Sequence, residues 1–348
     1  MATKMYPFGT TSDGRSAHLY VISHRSGVMA AMTDLGACLV SLRVPDAHGS
    51  LPDIVLGYDG ARGYEVNDPA LGAVVGRCAN RVGNATFKLE DRVYELADTG
   101  DGNCLHSGPD VYAHRIWGAR KGDNKHSVTF SLFSPDGDQG FPGNLDISVT
   151  YSLTESGELS LSYHATPDAS TIVNLTNHSY FNLNGHASGS VLDHVLTLVS
   201  DEFTDAGPDL VPTGEFLPVA DTPLDFRYPR RLGECIDAPF GPIRAAGGYD
   251  HNFVLANPGV QRHIARLEGD RSGIAMDVWT DTPGVQLYTA NFLDDERGKD
   301  GALYGRRGGV CLETQHYPDA INHPEFPQPV YGSDRPFHST TTFRFSAG

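Results

Sequence analysis

The stretch Leu145–Leu153 alternates without a break: Leu145, Ile147, Val149, Tyr151 and Leu153 fall on one side of a period of two, and Asp146, Ser148, Thr150 and Ser152 on the other. That spacing fits a β-strand with one face in a core and one in water, and it cannot place its apolar residues on one side of a helix. Ser127–Phe133 and Leu159–Ala165 repeat the pattern on either side, which predicts an antiparallel meander. Other short strand-like runs lie at His18–Ser23, Gly27–Met32, Ala37–Val44, Tyr249–Leu255, Arg262–Glu268, Ile274–Thr280, Gly284–Thr289, Val310–His316 and Ser339–Phe345, and Ala85–Leu89 with Val93–Leu96 reads as a hairpin. Turn residues separate them, drawn from 39 Gly and 22 Pro. No ten-residue amphipathic helix of comparable quality stands anywhere in the chain. A Gly-rich loop runs from Gly57 to about residue 70, Phe203–Leu224 is a long stretch punctuated by Pro and Gly in which no strand is assigned, and the segment from there to Gly248 reads as lacking regular structure. No shift in composition marks a linker, so residues 1–348 are expected to form a single all-β domain.

The formal net charge of −17 opposes binding to nucleic acid or to anionic membrane surfaces. Met1 to Thr10 lacks the basic and apolar regions of a signal peptide, and no window approaches eighteen apolar residues, which points to the cytoplasm. Cys38, Cys78, Cys104, Cys235 and Cys311 are too dispersed for a zinc spacing and read as reduced, mostly buried thiols.

Two segments carry candidate chemistry. If Asn174–Leu183 is one strand, Asn174, Thr176, His178 and Tyr180 share a face that is almost wholly polar and holds an imidazole. Histidine serves both as an acid/base group and as a structural donor, so this segment alone leaves both roles open. In Val310–Pro318 the same period groups Cys311, Glu313 and Gln315, and a glutamate that follows an apolar entry is costly inside a core unless paired. His106 sits in a Gly-bounded loop, a setting that favours function over packing. His178, His251, His316, Asp250 and Glu313 could in principle meet around a metal, but no H-x-H, HExxH or CxxC spacing occurs. Asp250 with Glu313 would make a glycosidase-type carboxylate pair. Neither a G-x-S-x-G elbow nor a phosphate-binding glycine loop is present.

Taken in order, Gly76-Arg77-Cys78-Ala79-Asn80-Arg81-Val82, Leu105-His106-Ser107-Gly108, Asn177-His178-Ser179-Tyr180-Phe181-Asn182-Leu183, Tyr249-Asp250-His251, Gly284-Val285-Gln286-Leu287-Tyr288-Thr289 and Leu312-Glu313-Thr314-Gln315 resemble the motifs of the aldose 1-epimerases. The resemblance implies a large antiparallel β-sandwich with few short helices. It also implies interconversion of the α and β anomers of free aldohexoses such as galactose and glucose, a step that feeds hexose metabolism, with no cofactor and no metal. On it, Glu313 is the general base and His178 the general acid, while Asn80, Arg81, His106, Asp250, Gln286 and Tyr180 hold the sugar. The expected partner is a monosaccharide, and the expected assembly a monomer or homodimer. Tyr180, Phe181, Tyr288, Phe292 and Trp117 are candidates for an aromatic wall. Glu313 is expected ionised and His178 protonated, each favouring the other's charge. A sugar-binding sandwich without turnover and a glycosidase or lyase built on Asp250 and Glu313 are the competing classes.

Overall fold

The structure is a computed structural model that describes residues 3–122 and 124–348; Met1, Ala2 and Asp123 lie outside it. Its largest sheet has nine antiparallel strands in the order Gly118–Lys121, Ser127–Ser134, Leu145–Leu153, Leu159–Pro167, Phe337–Ala347, Ile274–Thr280, Arg262–Glu268, Val195–Leu198 and Arg230–Arg231. The alternating stretch lies near one end of this sheet and pairs in unbroken register from Leu145 opposite Pro167 to Leu153 opposite Leu159. Its five apolar residues are all buried, as the period of two requires.

A five-stranded antiparallel sheet runs in the order Pro212–Pro218, Glu202–Ala206, Asp250–Val254, Gly284–Tyr288 and Cys311–Gln315. One face of it, carrying Phe203, Phe253, Val285, Leu287 and Leu312, shares a single hydrophobic cluster with Phe130, Val149 and Leu161 of the nine-stranded sheet. A four-stranded sheet, Lys4–Thr10, Ser16–Ser23, Met29–Thr33 and Leu39–Arg43, adds Ile22, Met32 and Leu42 to the same cluster. The layers are those of a mainly β sandwich, as expected.

Three expectations about elements are corrected. The stretch from Phe203 holds two strands, Glu202–Ala206 and Pro212–Pro218; the second lies at the sheet edge, where a proline costs no ladder hydrogen bond. Two six-residue helices, Ala61–Val66 and Gly241–Ala246, occupy segments read as irregular, the second opened by Pro242 and closed by Gly247 in the left-handed region at φ 65°. The segment Asn174–Leu183 is not one regular strand. Only Thr176–Asn177 forms a ladder, with Val74–Val75, because the backbone hands its hydrogen bonds to a succession of neighbours: His178 N–H to Ala73, Phe181 N–H to Val310, and Asn182 N–H to Ile54.

Candidate active site

The second face of the five-stranded sheet is polar and yet buried. Register puts Asp250 beside Tyr288 and Tyr288 beside Cys311 in one row, and Asn252, Gln286 and Glu313 side by side in the next. These strands alternate between foundation and floor, so the residues that leave the core free of charge are the neighbours of those that carry it. Gln286 Nε2 donates to Asp250 Oδ1 at 2.6 Å, and Gln315 Nε2 donates to Gln286 Oε1 at 3.5 Å. Glu313 is 2% exposed.

Above this floor lies a cavity of about 310 Å³, at the low end of the range for small-ligand sites. Arg81 comes from a two-residue strand, Arg81–Val82, paired with Cys104–Leu105, so that Arg81 faces Leu105 and the following His106 turns into the cavity. Asn80 and His106 both take left-handed backbones, φ 61° and 51°, and the Asn80 N–H donates to His106 Nδ1 at 3.2 Å. That bond leaves His106 its ring proton on Nε2. Asn80 Oδ1 accepts the Arg81 N–H at 2.8 Å. His178 enters from the irregular segment with its ring stacked on Tyr180, centroids 4.9 Å apart, and edge-on to His106 and Tyr288. Its Nε2 is 3.6 Å from Glu313 Oε1, and both side chains are buried. The Tyr180 hydroxyl donates to the Pro69 carbonyl at 2.9 Å, so this residue offers the cavity its ring. Among the described residues, no group of three or more His, Cys, Asp or Glu is placed to hold a metal ion.

Burial dominates the electrostatics. Removal from water pushes the Glu313 carboxyl well above the usual carboxylate range, the nearby Asp250 pushes it further, and the Arg81 guanidinium pulls it back. Asp250 is raised by burial too, against opposing pulls from Arg81 and Gln286. His178 is lowered to about 4 by burial, and His106 well below its ordinary value by burial, His178 and Arg81. Burial therefore favours a neutral carboxyl beside a neutral imidazole. This reverses the ionic pairing expected from the sequence, because at 3.6 Å in a dry floor the mutual attraction does not offset the loss of hydration on both charges.

The aldose 1-epimerase family model matches residues 18–344. The chain belongs to the aldose 1-epimerase family. It is 42% identical over 312 residues to human galactose mutarotase, covering 89% of each chain. It is 34% identical over 338 residues to the aldose 1-epimerase of Escherichia coli K12, covering 96% of this chain and 97% of that one. The solved structure of an aldose epimerase homologue from C. elegans superposes with a TM-score of 0.87 at 30% identity, over 94% of this chain and 98% of that one.

In this epimerase the cavity collects Asn80, Arg81, His106, His178, Tyr180, Asp250 and Glu313, all singled out from the sequence. Gln286 is not part of its lining but stands behind Asp250 and holds it. Of the aromatic candidates, Tyr288 and Phe292 line the cavity with Tyr180, whereas Phe181 packs against Phe343 and Trp117 against Tyr112 in the core. Sequence reasoning missed Asp68, Pro69, Ala70, Leu105 and Leu293. The Asn-Asp-Pro turn signal at residues 67–69 marks a loop but says nothing of where that loop folds back.

Proposed function

We propose that this chain is a mutarotase that opens and recloses free aldohexoses such as galactose and glucose, with Glu313 as general base and His178 as general acid. The observation that carries the reading is the contact between His178 Nε2 and Glu313 Oε1 at the buried end of a cavity lined by hydrogen-bonding side chains. Glu313 takes the proton of the anomeric hydroxyl while His178 gives one to the ring oxygen. The C1 to ring-oxygen bond opens, the aldehyde rotates about C1–C2, and reclosure on the other face uses the same groups with roles reversed. Burial strengthens both groups for these tasks. A carboxylate with a raised pKa is a stronger base, and an imidazolium with a lowered one a stronger acid. The reactive partition is reached by moving one proton within the pair, with no change of net charge.

Asn80, Arg81, His106 and Asp250 hold the hydroxyls, Arg81 with a planar fork of donors. Gln286 acts through Asp250, and the rings of Tyr180 and Tyr288 face the apolar side of the pyranose. Asp250 and Glu313 stand on one sheet face, in adjacent rows and with the strand Gly284–Tyr288 between them, an arrangement that supports a shared floor more than the two flanking carboxylates of a glycosidase. The reading extends to a single domain over residues 1–348, supported by a nine-stranded sheet that draws strands from residue 118 to residue 347. It extends also to the cytoplasm, supported by five unpaired cysteines of which four are buried.

Polarimetry on freshly dissolved α-glucose and α-galactose tests the assignment. Glu313→Gln and His178→Asn are each expected to slow anomerisation by roughly 10²- to 10⁴-fold while the protein stays folded. Wild-type rates in either folded variant overturn the mechanism. For the wild type, kcat/KM should be bell-shaped in pH, because the pair works with one proton and fails with two or none.

A further inference from the structure

His164 and His338 face each other across the middle of the nine-stranded sheet. His164 lies on Leu159–Pro167 and His338 on Phe337–Ala347, and the antiparallel register sets them directly opposite. Their chain neighbours Tyr163, Ala165, Phe337 and Ser339 are buried, so the period of two turns both imidazoles to the outer side of the sheet. The two Nδ1 atoms are 3.1 Å apart. The ring centroids are 4.3 Å apart with the planes inclined at 36°, so the rings lean together along their Nδ1 edges. Neither histidine lines the cavity of Glu313 and His178. We propose that this pair is a two-histidine chelate for a divalent late-transition ion of the zinc type, bound by both Nδ1 atoms with water at its remaining positions.

The spacing of the nitrogens suits such an ion. Zinc–imidazole bonds are about 2.0 to 2.1 Å long, and two of them drawn to nitrogens 3.1 Å apart enclose an angle of about 100°, near the tetrahedral value. The ladder between the two strands fixes this bite in advance, so the ion has little left to order. The tautomers suit it as well. Thr166, two residues along the same face, has its Oγ1 3.0 Å from His164 Nε2. The hydroxyl accepts the Nε2 proton and leaves Nδ1 as a lone pair, the arrangement by which a ligating histidine is oriented through its second nitrogen. Before the ion arrives, the His338 Nδ1–H donates to that lone pair. On binding, His338 carries its proton on Nε2 instead, both Nδ1 atoms become ligands, and no net proton is released. Imidazole donors select zinc, copper or nickel over magnesium or calcium. With two protein ligands the site is open, unlike the closed four-ligand sites of structural zinc. Its effect is to tie the last strand to the meander, which stabilises the fold by mass action.

Isothermal titration calorimetry of the whole protein with zinc chloride tests the proposal, with magnesium chloride as the control. The wild type should show a zinc site that takes no magnesium. His164→Ala and His338→Ala should each weaken that site by roughly 10²-fold, the gain that a second tethered ligand confers on a first. Zinc should raise Tm in the wild type and leave it unchanged in either variant. Without zinc, both variants should anomerise glucose at the wild-type rate, which shows that they are folded and that the site is separate from the cavity. Equal zinc affinity in the wild type and in either folded variant overturns the proposal, because the ion is then held by other donors or by one imidazole alone. A wild type that binds no zinc overturns it as well.

Discussion

Arg81 is the counter-charge that the two carboxyls of the floor share, since it pulls down both Glu313 and Asp250 against the burial that raises them. Removing that charge with Arg81→Gln should raise both carboxyls further, so that Glu313 stays protonated to higher pH. The basic limb of the kcat/KM profile, which Glu313 sets because its pKa is raised while that of His178 is lowered, is then expected to move upward by about a unit, the scale typical of one neighbouring charge. Arg81→Lys should leave the limb nearer its original place but raise KM, because an ammonium lacks the planar fork. A basic limb that does not move in Arg81→Gln would show that the guanidinium does not tune Glu313. At this scale the sequence was informative wherever polarity clashed with its surroundings. His178 stood on a polar face, and Glu313 followed Val310 and Leu312 into an apolar run. It was silent on protonation, because the depth of Glu313 and His178 depends on layers assembled from residues far away in the chain. On aromatic direction the period of two set Tyr180 and Phe181 on opposite faces, and one does face the cavity and the other the core, but it could not rank Tyr288, Phe292 and Trp117.

Each strand of the floor has two duties on opposite faces, and Cys311–Gln315 shows them most clearly. Leu312 is 3% exposed in the main core, and its neighbours Cys311 and Glu313 flank His178. Leu312→Ala should cost about 2 to 5 kcal/mol in urea unfolding through the cavity it leaves. Its first effect on activity is expected to be a loss of active protein on warming and not a changed KM at low temperature. A variant as stable as the wild type would mean that this face does not anchor the floor. Elements with long, regular alternation could be located in the sequence almost to the residue, as Leu145–Leu153 was, because packing on one face enforces the period. Elements held by scattered partners could not. Asn174–Leu183 keeps an extended course without a continuous ladder, and Pro212–Pro218 hides an edge strand behind prolines that usually argue against one.

For the molecule as a whole, burial of neutral histidines sets the acid limit of stability. His178, His194, His251 and His316 are each lowered from 6.5 to about 4 by burial. Two of them accept backbone N–H groups that protonation would evict: His194 Nε2 from Leu183 at 2.9 Å and His251 Nδ1 from Asp250 at 3.0 Å. Their folded pKa values lie below the unfolded ones, so their contribution is complete above pH 6.5 and is lost as pH falls toward 4, at about 1.4 kcal/mol per unit for each group. Glu313 and Asp250 have the opposite sign, being raised on folding, and offset part of the loss. Tm should therefore fall steeply between pH 6.5 and 4, with net proton uptake on unfolding. A Tm that is level over that range would refute the assignment of these histidines as neutral. The two-faced floor strands have a last consequence, for descent with modification. An insertion or deletion of one residue within Gly284–Tyr288 or Cys311–Gln315 would exchange the faces, sending Gln286 or Glu313 into the core and an aliphatic side chain into the cavity. Change in length is therefore closed to the floor and open to the rim, where Asp68 and Phe292 sit exposed on loops, and it is there that relatives built on this plan are free to diverge in the sugars they accept.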